Sequence, residues 1–335
     1  MILVLASGLD ADGVARAEMA VRALGVDPKR LAAADGRVAI DAPGLSRARV
    51  AGVPGVELAL EGGAAYKRVA RSGGPGARTK VVTARGVPFG GPGVVLIAGP
   101  CAVEHEGQLE ASARAAAAAG ARALRGGAFK PRTSPYSFQG MGDAGLRLLR
   151  DAADRHDLAV VTEVMEPGAV SLVAEYADML QVGSRNMQNT ALLRAVGRQS
   201  RPILLKRGMS ATLEEWLLAA EYIADAGNEE IVLCERGLRT FDPACRNLLD
   251  LAAVPLLRQR THLPLAVDPS HGVGVKEAIP SMALAAVAAG ADAVMIECHP
   301  DPGAAKSDGF QALTPAELLE LGRRLRAVAL AVGRS

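Results

Sequence analysis

Aromatic residues are scarce in this chain: one Trp, four Tyr and five Phe make up 3% of 335 residues. Binding nucleic acid by base stacking needs rings interleaved with basic side chains, and no stretch here has that pattern. An excess of charge is also missing, since 38 Lys and Arg face 36 Asp and Glu for a net charge of +2. No global field draws in nucleic acid or an acidic membrane, so any anion site has to be local. Cysteine is rare too. Cys101, Cys234, Cys245 and Cys298 lie far apart with no CxxC pair, which argues against a zinc knuckle or a disulfide framework and fits a reducing cytoplasm. No apolar run approaches the roughly 20 uncharged residues of a membrane span. The opening MILVLASGLDADG has a short apolar run, no basic leader and early acid, so a signal peptide is not expected.

Half of the residues are apolar, and the length allows one large and one small domain at about 100 to 200 residues each. The stretch RSGGPGAR, Arg71 to Arg78, has the composition of a joint. We therefore expect a small α+β domain over 1–71, a linker and hairpin over 72–93, and a larger domain over 94–335. In the small domain, Ile2 to Ala6, Val38 to Ile40 and Val56 to Leu60 read as strands and Val14 to Leu24 as a helix. KVVTARGVPFGG, after the joint, reads as a hairpin.

From Val94 on, apolar runs alternate with alanine- and leucine-rich helical stretches. The runs are VVLIAG (94–99), ARALRGG (121–127), LAVVTEV (158–164), MLQVGSR (179–185), ILLKRG (203–208), EIVLCERG (230–237), LPLAVDPSH (263–271) and AVMIECH (293–299). Eight βα units with continuous apolar strands predict a closed, parallel (β/α)₈ barrel. Each run ends in a polar residue: Cys101, Arg125, Glu163, Arg185, Lys206, Glu235 with Arg236, Asp268 with His271, and Glu297. Those are C-terminal strand ends, where a barrel of this kind carries its active site.

Arg125, Lys130, Arg132, Arg185, Lys206 and Arg236 all fall at or just after a strand end. Singly, each is ordinary solvated surface charge. Six in phase would crowd one mouth at an electrostatic cost that only an anion offsets, and Arg matches phosphate or carboxylate with a planar fork. A second group mixes a thiol, an imidazole and two carboxylates: Cys101, His271, Glu297 and Asp308. That set suits Mn²⁺, Fe²⁺, Co²⁺ or Zn²⁺, and less so Mg²⁺, which avoids sulfur. His299 has the same strand phase as Glu297 and is a rival ligand; Cys298, between them, should face the helices. Cys234 and Cys245 read as structural, and His105, His156 and His262 carry no visible partner. The loop from Gly126 to Gly142, GGAFKPRTSPYSFQGMG, joins glycines to Arg132 and the hydroxyls of Thr133 and Ser134, which together offer several donors to a phosphate.

LRGGAFKPRTSPYSFQG resembles the signature of 3-deoxy-D-arabino-heptulosonate-7-phosphate (DAHP) synthases of the type I beta class. AGPCAVE (98–104), QVGSRNMQN (181–189), LLKRGM (204–209), LCERGLRTF (233–241), VDPSHG (267–272), IECHPDP and KSDG (296–309) extend the resemblance over the whole barrel. Two departures are local: SHGVG stands where SHSGG is more familiar, and Ser184 where Ala is commoner.

The resemblance implies a cytoplasmic enzyme condensing phosphoenolpyruvate with erythrose 4-phosphate, the first step of the shikimate pathway. It implies a divalent metal, Mn²⁺ before Zn²⁺, Fe²⁺ or Co²⁺, on Cys101, His271, Glu297 and Asp308. Phosphoenolpyruvate is expected against Arg125, Lys130, Arg185, Lys206 and Arg236. Erythrose 4-phosphate is expected along Lys130 to Ser134, with Arg132 and Thr133 at its phosphate and Asp308 near its hydroxyls. Glu163 is expected beside the attacking water, and Lys130 or a metal-bound water as the proton donor to the new alkoxide. The small domain resembles a ferredoxin-like regulatory domain that takes an aromatic amino acid, although Tyr66 is its single aromatic residue. Dimers or tetramers are expected. Two rivals remain: a 3-deoxy-octulosonate-8-phosphate synthase using arabinose 5-phosphate, and a phosphate-sensing barrel without catalysis.

Overall fold

The computed structural model describes all residues except 33–36, 61–64, 72–78, 131–133 and 135. The chain divides into two compact units, Met1–Lys67 and Arg68–Ser335. The division falls four residues before the expected boundary at Arg71 because the backbone there already belongs to the larger unit. Arg68 N and Val69 N donate to the Glu221 carboxylate at 2.9 and 3.1 Å, and Arg71 N donates to Arg260 O at 2.9 Å. The glycine-rich joint itself lies outside the described residues.

The small unit runs β1 (Ile2–Leu5), a helix (Ala11–Ala23), β2 (Lys29–Ala32), β3 (Val38–Asp41), a short helix (Arg47–Val50) and β4 (Val56–Leu60). Its strands pair antiparallel in the order β2-β3-β1-β4, which with this element order is the ferredoxin-like arrangement. The first helix starts three residues ahead of the apolar period, because Asp10 caps it by accepting from Gly13 N at 2.8 Å. β2 is absent from the sequence reading for a physical reason: it is an edge strand whose Lys29, Arg30 and Leu31 are exposed, so it has no apolar alternation. Leu3, Leu5, Val14, Val21 and Ile40 centre the core.

The larger unit opens with a hairpin of β5 (Val82–Ala84) and β6 (Val87–Phe89). Eight parallel strands follow: β7 (Val95–Gly99), β8 (Ala123–Arg125), β9 (Ala159–Glu163), β10 (Met179–Val182), β11 (Ile203–Lys206), β12 (Ile231–Glu235), β13 (Leu265–Val267) and β14 (Ala293–Glu297). They pair in sequence order, and β14 on β7 closes the barrel. Each lies within an apolar run expected to form a strand.

Alternate residues point inward, as a strand's period of two requires. Val95, Ile97, Ala123, Ala159, Val161, Met179, Leu204, Val232, Cys234, Ala266, Ala293 and Met295 fill the interior together with Val82, Ala84, Val87 and Phe89 of the hairpin. Because that cluster includes the first residues of β7, β8, β9, β10 and β14, the hairpin plugs the N-terminal end. The C-terminal mouth stays open, at the end where a barrel of this kind carries its chemistry. Cys234 is part of this apolar fill, and Cys298 is fully buried one position out of phase with Glu297. Burial pushes the Cys298 thiol up to about 12 and raises that of Cys234 as well.

Candidate active site and metal centre

Continuing the inward phase by one layer changes its character from apolar to polar: Arg125, Glu163, Gln181, Lys206, Arg236, Asp268 and Glu297. A cavity of about 490 Å³ opens above them, lined by Arg125, Lys130, Ser134, Glu163, Arg185, Lys206, Arg236, His271 and Asp308 among others. Residues expected from separate strand ends thus meet at one mouth. Arg132 and Thr133 lie outside the described residues. Glu235 takes the opposite phase and faces the helices, where it and Asp250 each accept from Arg207 at 2.9 Å.

Cys101, His271, Glu297 and Asp308 place one donor atom each within 4.8 Å of one another. His271 is held by Asp268, whose Oδ2 accepts from Nδ1 at 2.7 Å while accepting from Lys206 Nζ at 2.6 Å. With Nδ1–H so used, Nε2 turns its lone pair toward Glu297 Oε1 at 3.1 Å. Glu297 is anchored by Arg125 at 2.9 Å and by Gln311 Nε2 at 2.6 Å. The Cys101 sulfur lies 3.0 Å from Lys130 Nζ, 3.1 Å from Ser307 Oγ and 3.3 Å from Asp308 Oδ2. Asp308 adopts φ 52°, a left-handed conformation that aspartate tolerates better than most residues.

Charge states follow from burial and neighbours. Burial first, then the Glu297 charge, push the Cys101 thiol up to about 11 against the pull of Lys130 and Arg125. Burial lowers the His271 value, with Asp268 and Glu297 opposing, so the imidazole is neutral at neutral pH and able to bind a cation. For Asp268, burial raises the value, but His271 and Lys206 outweigh it and hold the carboxylate well below its usual range. Glu297 and Asp308 are lowered in the same way, by His271 with Arg125 and by His271 with Arg246.

One thiol, one imidazole and two carboxylates, converging, fit a borderline divalent cation. The opposite wall is cationic. Arg125 and Lys206 spend their charge on buried carboxylates, whereas Arg236 has a buried NH1 with no partner, and buried donors of that kind call for a ligand.

His299 stands apart from the four donors: its Nδ1 accepts from Asp301 N at 3.1 Å and its Nε2 lies 3.6 Å from Glu104. The three other histidines do have partners. His105 caps the helix Glu106–Ala118, His156 meets Glu110 at 2.7 Å, and His262 Nδ1 lies 3.1 Å from Ala70 O. Sequence reasoning missed Arg239, Arg246 and Asn247 on the cavity wall. Arg239 was within reach, as a basic residue three positions past Arg236 in the same motif. Arg246 and Asn247 sit deep in an irregular loop whose sequence carries no period.

Residues 79–331 match the DAHP synthetase I family. The chain is 47% identical over 268 residues to the phospho-2-dehydro-3-deoxyheptonate aldolase of Thermotoga maritima, covering 80% of this chain and 79% of that protein. The crystal structure of the Thermotoga maritima DAHP synthase matches with a TM-score of 0.80 and 39% identity, over 100% of this chain and 98% of that one. The 2-dehydro-3-deoxyphosphooctonate aldolase of Koribacter versatilis is 35% identical over 247 residues, 68% of this chain and 88% of that protein.

Proposed function

Because the chain belongs to the DAHP synthetase I family, we infer that its barrel mouth joins phosphoenolpyruvate to erythrose 4-phosphate and water, giving DAHP and phosphate. The observation that carries this reading is that the cationic wall shares one cavity with His271 and Asp308, whose donor atoms cluster with those of the buried Cys101 and Glu297. Both substrates are multiply anionic, and in a pocket of low dielectric they repel each other by several kcal/mol unless screened. Lys130, Arg185 and Arg236 supply that screening and hold phosphoenolpyruvate, with Arg125 and Lys206 beneath them. Arg132, Thr133 and Ser134 receive the sugar phosphate.

Cys101, His271, Glu297 and Asp308 would hold the metal, with Mn²⁺ the favoured ion. A metal bound there would supply Lewis acidity for the carbonyl chemistry. C3 of phosphoenolpyruvate forms the new bond to the aldehyde carbon. Lys130 Nζ delivers a proton to the resulting alkoxide, and Glu163, steadied by Gln181 Nε2 at 3.3 Å, orients the water that adds at C2. The C2=C3 electron pair makes the new carbon–carbon bond and leaves C2 open to the water. The water's oxygen then forms the C2 carbonyl, its protons leaving to solvent, as the C2–O bond to phosphate breaks and phosphate departs. Assembly into a dimer or tetramer, and control of activity by an aromatic amino acid at the small unit, belong to the same proposal. The ferredoxin-like strand order of that unit supports the second of these.

Erythrose 4-phosphate and arabinose 5-phosphate, offered side by side, test the substrate. Phosphate release with the four-carbon sugar alone is expected; preference for the five-carbon sugar would move the chain to the octulosonate branch. None of the no-catalysis reading survives turnover with either.

A further inference from the structure

The loop after β12 folds back on itself, with Leu238 and Leu248 exchanging backbone hydrogen bonds at 2.9 and 2.8 Å. Near its end, Arg246 and Asn247 touch the two segments that carry Asp308 and His271. Arg246 NH1 donates to Gln311 Oε1 at 2.8 Å and reaches Asp308 Oδ1 at 3.4 Å. Gln311 passes the contact on, since its Nε2 donates to Glu297 Oε2 at 2.6 Å. Its amide cannot be turned the other way, because a carboxylate only accepts and a guanidinium only donates. Gln311 is fully buried, so this polarity is fixed. The turn carrying His271 is held from the same loop: Arg246 N donates to Val273 O at 2.8 Å and Asn247 Nδ2 to His271 O at 2.9 Å. Gly274 leaves the room for this approach. Its φ is +65°, and a Cβ there would lie 2.4 Å from Arg246 Cβ.

We propose that Arg246 is a positioning residue of the metal centre, which clamps Asp308 directly, Glu297 through Gln311 and the His271 turn through its backbone, so that the donors stand preformed. The Asp308 charge raises the proton affinity of Glu297, so the two carboxylates repel each other and need partners that hold them in place. The guanidinium serves both at once, which a point charge on a lysine does less well. Partners of this kind behind the ligands typically contribute 10- to 100-fold in metal affinity. The inference rests on the reading that these four residues bind a metal.

The test is a Co²⁺ titration of metal-stripped full-length protein, read by the thiolate-to-cobalt absorption band without substrate. Arg246→Met, Gln311→Met, their double variant, Arg246→Lys and Cys101→Ala are compared with the unaltered chain. We expect Arg246→Met and Gln311→Met each to weaken Co²⁺ binding by roughly 10- to 100-fold. The double variant should lose far less than the product of the two, as one relay requires. Arg246→Lys should fall between, and metal-free melting temperatures should stay close together. Unchanged affinity in Arg246→Met, or full multiplication in the double variant, overturns the clamp. If Arg246→Met does not fold, Arg246→Lys and Gln311→Met decide in the same terms. A band missing from the unaltered chain, or surviving Cys101→Ala, overturns instead the metal-centre reading on which the clamp stands.

Discussion

Lys130 places its ammonium 3.0 Å from the Cys101 sulfur and 3.0 Å from the Cys101 carbonyl oxygen. One cation thereby stands at the junction of the four-donor cluster and the cationic wall, where the proposed condensation needs a proton for the new alkoxide. Lys130→Met should lower turnover by roughly 10²- to 10⁴-fold, the usual weight of a positioned proton donor, with the melting temperature little changed. Steady-state kinetics beside a thermal melt checks this, and near-normal turnover would remove Lys130 from the chemistry.

Metal binding should depend on pH through a single group. The Cys101 thiol, at about 11, has to release its proton to bind an ion. His271 is already neutral, and Glu297 and Asp308 are already ionised at neutral pH. Affinity for Co²⁺ should therefore rise roughly tenfold per pH unit between about pH 7 and 9. A dissociation constant that stays flat over this range contradicts the assignment.

Asp268 bridges Lys206 and His271 inside the barrel, and removing its charge strands a buried ammonium. Asp268→Asn should cost about 3 to 5 kcal/mol at neutral pH, as for other broken buried pairs, measured by urea unfolding. The sign of the pH dependence follows from the lowered folded value. Stabilisation by this group is fully present above its unfolded value of about 3.9 and is lost as pH falls toward the folded one. The gap between the two proteins should hold from neutral pH down to about pH 4 and narrow below it; equal stability at pH 7 would refute the bridge.

Gly183 is a matter of space. A Cβ there would lie 2.0 Å from Glu163 Oε1 and 2.9 Å from its Cδ, so alanine has to displace the carboxylate. Since the obstacle is the far end of a side chain, the fold should tolerate the change while the water at C2 loses its partner. Gly183→Ala should match Glu163→Gln in kcat within a few fold and melt like the unaltered chain. Full activity in Gly183→Ala would mean that Glu163 need not stand where it does.

The parts legible in the sequence are those with a period or a contiguous motif. Every barrel strand announced itself as an apolar run ending in a polar residue, which put Arg125, Glu163, Lys206, Arg236 and Glu297 at one mouth, though it put Glu235 there too. Cys101, His271, Glu297 and Asp308 stood out by ligand chemistry, and they do converge. The network behind them was hidden because Asp268 to Lys206, Gln311 to Glu297 and Arg246 to Asp308 join residues 62, 14 and 62 positions apart. Such pairs have no local pattern; only barrel closure brings them together. The same holds for the cap at Asp10 and the exposed edge strand β2, where one hydrogen bond or a neighbouring strand, not an apolar face, sets the element.

The most direct test of the central claim is phosphate release from phosphoenolpyruvate and erythrose 4-phosphate by chelator-stripped protein, before and after adding Mn²⁺, with Cys101→Ala alongside. Turnover should be absent without metal, return with Mn²⁺ and stay absent in Cys101→Ala. Undiminished turnover in the stripped protein, or in Cys101→Ala, would contradict a metal-dependent condensation at this site.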